Sequence, residues 1–83
     1  MFYTYIIQSL KNYSFYIGST NNLKERFKQH NLGQSKYTSV YRPWNLIYYE
    51  AFSTYKLAFK RELHLKKRGK AWQELCKRLD VKR

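Results

Sequence analysis

Two helical segments of this sequence carry polar side chains where apolar ones belong. At about 100° per residue, the segment Leu23 to Asn31 turns Leu23 and Phe27 inward. Arg26 and His30 lie beside or between them, while Lys24, Glu25 and Lys28 point elsewhere. In a longer segment, capped by Ser53 or Thr54 and running to about Arg68, the residues Tyr55, Ala58, Phe59, Leu63 and Leu65 define the inward face. Glu62 and Lys66 fall near its centre, and His64 lies opposite as a solvated residue. A guanidinium or carboxylate on a buried face is costly unless it is paired, hydrogen-bonded or bound to a metal. The placement therefore suggests a site, or else structural pairs: Glu62 bridged to Arg26, and Lys66 reaching past its neighbours to solvent. The wheel alone leaves both readings open.

The elements that must position these groups can be read from the same chain. Phe2 to Gln8 is β-branched and aromatic, and after Lys11-Asn12-Tyr13-Ser14 a second such run, Phe15-Tyr16-Ile17, is closed by Gly18, which reads as a hairpin. Alternation puts Tyr3, Tyr5 and Ile7 on one face, with Tyr16 and Gly18 sharing a face of the next strand. Tyr5 and Tyr16 then become neighbours with room above Gly18, either as a site or as ordinary cross-strand aromatic packing. Asn21-Asn22 caps the first helix, which ends near Gly33; residues 33–43 read as a polar loop, and Leu46 to Phe52 as a third strand. Gly69 separates the long helix from a last one, Ala71 to Leu79, and the tail Asp80 to Arg83 is expected to fray.

Composition narrows the partners. The chain has 83 residues, room for one domain spanning 1–83 with one modest core. Aromatics make up 19% of it, nine of them Tyr, so that core is built from few large side chains. Seventeen Lys and Arg against five acids give a net charge of +12, and residues 54–83 hold eleven of those cations. A surface so basic favours polyanions, nucleic acid first. No stretch approaches the roughly 20 apolar residues of a spanning helix, and Met1-Phe2-Tyr3-Thr4-Tyr5 lacks the basic start of a signal peptide. A cytoplasmic location is the expectation. Cys76 is the single cysteine, which rules out an internal disulfide; it reads as a small buried residue, and Trp72 as core.

Taken in order, Tyr5-Ile6-Ile7, Tyr16-Ile17-Gly18, Arg26, His30 and Ala58-Phe59-Lys60-Arg61-Glu62 resemble the motifs of the GIY-YIG nuclease superfamily. Lys36-Tyr37-Thr38, Arg42-Pro43, Leu46 to Glu50 and Glu62 through Lys66 extend the resemblance, over nearly the whole chain, to its small stand-alone bacterial members. Of the name-giving Gly-Ile-Tyr only the tyrosine is kept, in Tyr3-Thr4-Tyr5. The resemblance implies an α+β fold with a three-stranded antiparallel sheet flanked by helices. It also implies a phosphodiesterase site in which Glu62 holds one Mg²⁺ or Mn²⁺, Arg26 contacts the scissile phosphate, Tyr16 orients or deprotonates water, and Tyr5 and His30 assist proton transfer.

The expected substrate is DNA, bound through sequence-independent contacts from Lys36, Arg42, Lys60, Lys66, Lys67 and Lys70, with Lys56, Lys77 and Arg78 adding to the field. Tyr37, Tyr41 and Trp44 either stack on unpaired bases or cover the core. The expected molecule is a monomer, with a protein partner supplying targeting. Many relatives place an asparagine near the site after the long helix, and Lys70 to Arg83 contains none. That departure motivates the alternative, a non-catalytic DNA- or RNA-binding module on the same fold.

Overall fold

A computed structural model describes residues 1–79, and the expected frayed tail lies outside the described residues. Its strands are β1 (Phe2–Ser9), β2 (Phe15–Thr20) and β3 (Trp44–Phe52). Its helices are α1 (Leu23–Asn31), α2 (Lys36–Ser39), α3 (Tyr55–Lys66) and α4 (Lys70–Arg78). The strands form one antiparallel sheet in the order β2-β1-β3, so the most apolar strand is the central one. The α+β architecture is the one expected.

Alternation along β1 sends its side chains into two layers. Tyr5 and Ile7 join Trp44 on one face, with Tyr16, Leu23, Phe27, Tyr41 and Leu46 packed around them. Ile6 and Ile17 join Leu65, Trp72, Leu75 and Cys76 on the other. Helix α1 thus covers the first face, and α3 with α4 the second. Between Ile6 and Ile7 the pairing with β3 slips by one residue, because Ile6 opposes Tyr48 while Ile7 opposes Leu46. The extra residue, Ile47, packs with Tyr48 on the α3 and α4 side, a bulge that keeps both layers filled.

Both main helices start where their caps predict. The Asn22 side chain accepts from Glu25 N and the Thr54 hydroxyl from Leu57 N. Gly33, at φ 79°, ends α1 in the left-handed region that suits glycine, and the Arg42 guanidinium lies where a side chain there would sit. Three local readings need correction. The stretch 33–43 contains the short helix α2, and β2 runs two residues beyond Gly18. On α3 only Ala58, Glu62 and Leu65 are buried, whereas Tyr55, Phe59 and Leu63 are exposed. The cause is the narrow contact α3 makes with the sheet: Ala58 has no exposure, and Thr4 Oγ1 donates to its carbonyl at 2.6 Å. A helix seated this closely has no room for rings on the flank. Trp72 and Cys76 are core residues, as read.

Candidate active site

Tyr5 sits on the central strand directly opposite Gly18, and its ring lies over that residue. A Cβ added to Gly18 would stand 2.5 Å from the Tyr5 hydroxyl, so the missing side chain is what lets the phenol extend toward the edge of the sheet. Tyr16 lies diagonally across, with ring centroids 6.4 Å apart. Helix α1 brings His30 edge-on to Tyr16 at 4.9 Å and places Arg26 one turn earlier. Asn31 fixes that helix to β3, since its amide donates to Trp44 O (3.1 Å) and its carbonyl accepts from Trp44 N (2.6 Å).

A buried hydrogen-bonded chain runs through this cluster. The Tyr5 hydroxyl is 2.9 Å from His30 Nε2, His30 Nδ1 is 2.7 Å from Thr38 Oγ1, and Thr38 Oγ1 reaches Ser35 O at 3.4 Å. If Tyr5 donates to Nε2, Nδ1–H donates to Thr38 and Thr38 donates to Ser35, every group is satisfied. Burial, with the nearby Arg26 charge adding to it, pulls the His30 pKa down to about 4, so the ring is neutral at pH 7 and free to accept. Burial, reinforced by Tyr16, pushes the Tyr5 phenol well above its ordinary value against the opposing pull of Arg26. Tyr5 is therefore a proton donor at neutral pH. For Arg26, burial opposes the charge, but the interaction with the Tyr5 hydroxyl and the field of Tyr5 and Tyr16 outweigh it and hold the guanidinium charged. Its Nη1 donates to Gln29 Oε1 at 3.0 Å.

Glu62 approaches from the other side of the sheet and is 7% exposed. Its Oε1 accepts from Ser19 Oγ at 2.5 Å and its Oε2 from Lys66 Nζ at 2.5 Å. Ser19 follows Gly18, so one short stretch of β2 clears space for Tyr5 on one face and holds the carboxylate on the other. Tyr5 feels the Glu62 charge, which helps to raise its pKa. The bridge between Glu62 and Arg26 entertained from the helical wheel is thus replaced by two other pairs. A separate ion pair joins α3 to β3: Arg61 donates twice to Glu50, at 2.9 and 3.0 Å, and Tyr48 adds a third bond at 2.7 Å. Those bonds overcome the desolvation of Glu50 and hold its pKa below the usual value.

Tyr5, Tyr16, Arg26 and His30 therefore come together, and Glu62 with Lys66 joins them at the edge strand. Lys36 opens α2 beside Tyr37, whose ring lies 6.0 Å from Tyr16. Arg42 is exposed next to Gly33. Lys60 lies roughly opposite Ala58 on α3, on the side turned from the sheet, Lys67 is the cap residue just past that helix, and Lys70 begins α4. Trp44 covers the core, 3% exposed, and donates Nε1–H to Thr38 O at 2.8 Å, while Tyr37 is 65% exposed. Ser19, Thr38 and Asn31 were not singled out from the sequence. Their positions next to Gly18, within Lys36-Tyr37-Thr38 and after His30 are the only signals it offers.

Among the described residues no group of three His, Cys, Asp or Glu side chains is assembled to hold a metal. A single buried carboxylate suits a cation such as Mg²⁺, which takes one or two carboxylates and completes its shell with water and substrate phosphate. For Glu62 to act so, Lys66 must release Oε2; with 46% of its side chain exposed, it can swing away.

A three-stranded sheet with paired tyrosines over a glycine, an arginine and histidine on the following helix, and a glutamate on the helix after the third strand defines a class. A model of the GIY-YIG catalytic domain matches residues 1–75, and the chain belongs to that family of nucleases. It is 42% identical over 72 residues to the UPF0213 protein YazA of Bacillus subtilis, covering 86% of this chain and 73% of that one. With the UPF0213 protein CPE1444 of Clostridium perfringens it shares 44% over 68 residues, covering 81% and 72%. The solution NMR structure of the UPF0213 protein BH0048 from Bacillus halodurans matches with a TM-score of 0.55 at 31% identity, covering 92% of this chain and 82% of that one.

Proposed function

We propose that this protein is a metal-dependent endonuclease that cleaves phosphodiester bonds in DNA, in repair or another processing step. The observation that carries the reading is the convergence on β2 of a charged Arg26 beside two tyrosines and of the Glu62 carboxylate held by Ser19. Arg26 would hold the scissile phosphate through its planar fork of donors and offset charge as it grows in the transition state. A Mg²⁺ or Mn²⁺ ion at Glu62 would supply positive charge to the same phosphate. Tyr16 would orient the attacking water. Tyr5, held as the phenol with its proton directed to His30 Nε2, would accept a hydrogen bond from that water, and Thr38 aligns the His30 ring.

The second reading, a module that binds nucleic acid without cutting it, is favoured by the Glu62–Lys66 pair, which occupies the carboxylate with an internal cation. Fragment release from branched, single-stranded and duplex DNA, with Mg²⁺, Mn²⁺ or EDTA, separates the two. Arg26→Ala and Glu62→Gln are expected to lower turnover by at least about 100-fold, as loss of a transition-state contact does, with DNA binding retained in Glu62→Gln. Metal-indifferent binding and no cleavage of any substrate would select the module.

A further inference from the structure

The face that carries Tyr5 is only partly covered. Beyond α1, a groove of about 520 Å³ opens between the sheet and the start of that helix, within the roughly 300–1,000 Å³ of small-molecule sites. Its floor is Tyr3 and Tyr49, packed edge to face with centroids 6.0 Å apart and planes at 67°. Tyr49 is the cross-strand partner of Tyr5 and is 54% exposed. Phe27 and Leu46 form the apolar wall. At the rim stand Lys24 and Asn21. The neighbouring Asn22 spends its carbonyl on the helix cap, whereas the Asn21 side chain has no hydrogen-bond partner among the described residues.

We propose that this groove is a base-binding subsite, which receives an unpaired nucleotide next to the phosphate held by Arg26. Two tyrosine faces set at an angle suit a flat aromatic ring better than an aliphatic side chain. The free carboxamide of Asn21 can read a base edge, and Lys24 can meet the adjoining phosphate. Charge argues for the same occupant, because a chain of net charge +12 draws a polyanion before a neutral peptide. Position does too: Tyr3 lies two residues from Tyr5 on the same face, about 7 Å away along the strand, and Phe27 follows Arg26. An unpaired base in the groove therefore places its backbone beside the candidate site. The inference rests on the nucleic-acid half of the reading above and is independent of catalysis.

The test is anisotropy of a dye-labelled oligothymidylate in EDTA, where nothing is cleaved. Tyr49→Ala should weaken binding by about 5- to 100-fold, leave the slope against salt unchanged, and spare blunt duplex. Tyr49→Phe should restore affinity. One abasic position scanned along the oligonucleotide should reproduce the loss in the wild type and add nothing in Tyr49→Ala. An unchanged affinity in Tyr49→Ala, a flat abasic scan, or an equal loss on duplex would overturn the proposal; the first is what a groove for a partner protein's side chain would give. Absence of any oligonucleotide binding would overturn it together with the nucleic-acid reading. Base-dependent binding in a protein that never cleaves would leave it standing and remove only the nuclease.

Discussion

His30 shows how one buried side chain links stability to site chemistry. It has no exposure, both ring nitrogens are hydrogen-bonded, and its pKa is pulled down to about 4 from the ordinary 6.5. Between those values the unfolded chain binds a proton that the folded one refuses, so stability rises with pH across this window and is lost as the pH falls from about 6.5 to about 4. The loss is expected to reach no more than roughly 3.5 kcal/mol. Urea unfolding of wild type and His30→Gln at pH 7 and pH 4.5 measures it, and the pH-dependent difference between the two should shrink toward zero in the variant. Glu50, whose pKa is depressed, adds its own loss only below about pH 4.5, mostly outside that window.

At the scale of elements, the site depends on how closely α3 lies on the sheet, because that helix brings Glu62 to Ser19. The contact is set by Ala58 and by the Thr4 hydroxyl on its carbonyl. Ala58→Leu forces added methylenes into a gap with no space for them, and is expected to cost about 1–3 kcal/mol. As α3 lifts, the Glu62–Ser19 bond should lengthen and metal-dependent cleavage should fall by more than the unfolded fraction explains. Denaturation midpoints and turnover on the same preparation test this. Helix α2 works differently. Too short to be stable on its own, it is tied down by Trp44 Nε1–H on Thr38 O and by Thr38 on His30, so the same hydrogen bonds hold the helix and the histidine in place.

Over the whole molecule, the net charge of +12 predicts binding dominated by counterion release. The logarithm of the DNA association constant should fall linearly with the logarithm of salt. Lys36→Gln should reduce the slope by about 0.7–0.9, the value of one phosphate contact. Lys60→Gln should change it less, because Lys60 faces away from the sheet while Lys36 sits beside Tyr37 and Tyr16. Equal changes for both would mean that the nucleic acid also wraps the outer side of α3. Titration by anisotropy from 50 to about 200 mM salt covers the useful range.

Alternation and periodicity determined much by themselves: three strands, the first helix from Leu23 to Asn31, a long helix after Thr54, and the neighbourhood of Tyr5 and Tyr16. Such features arise from local backbone geometry, which residue order carries directly. The identity of the Glu62 partners was beyond its reach, since Arg26 and Ser19 are both compatible with a buried carboxylate and only the seating of α3 chooses. So was the exposure of Tyr55, Phe59 and Leu63, because a helical wheel gives angles and not the width of the contact. The turn of chain that carries Thr38 to His30 lies in a polar stretch with no apolar period. Its course is decided by tertiary hydrogen bonds to Trp44 and His30, which residue order does not encode locally.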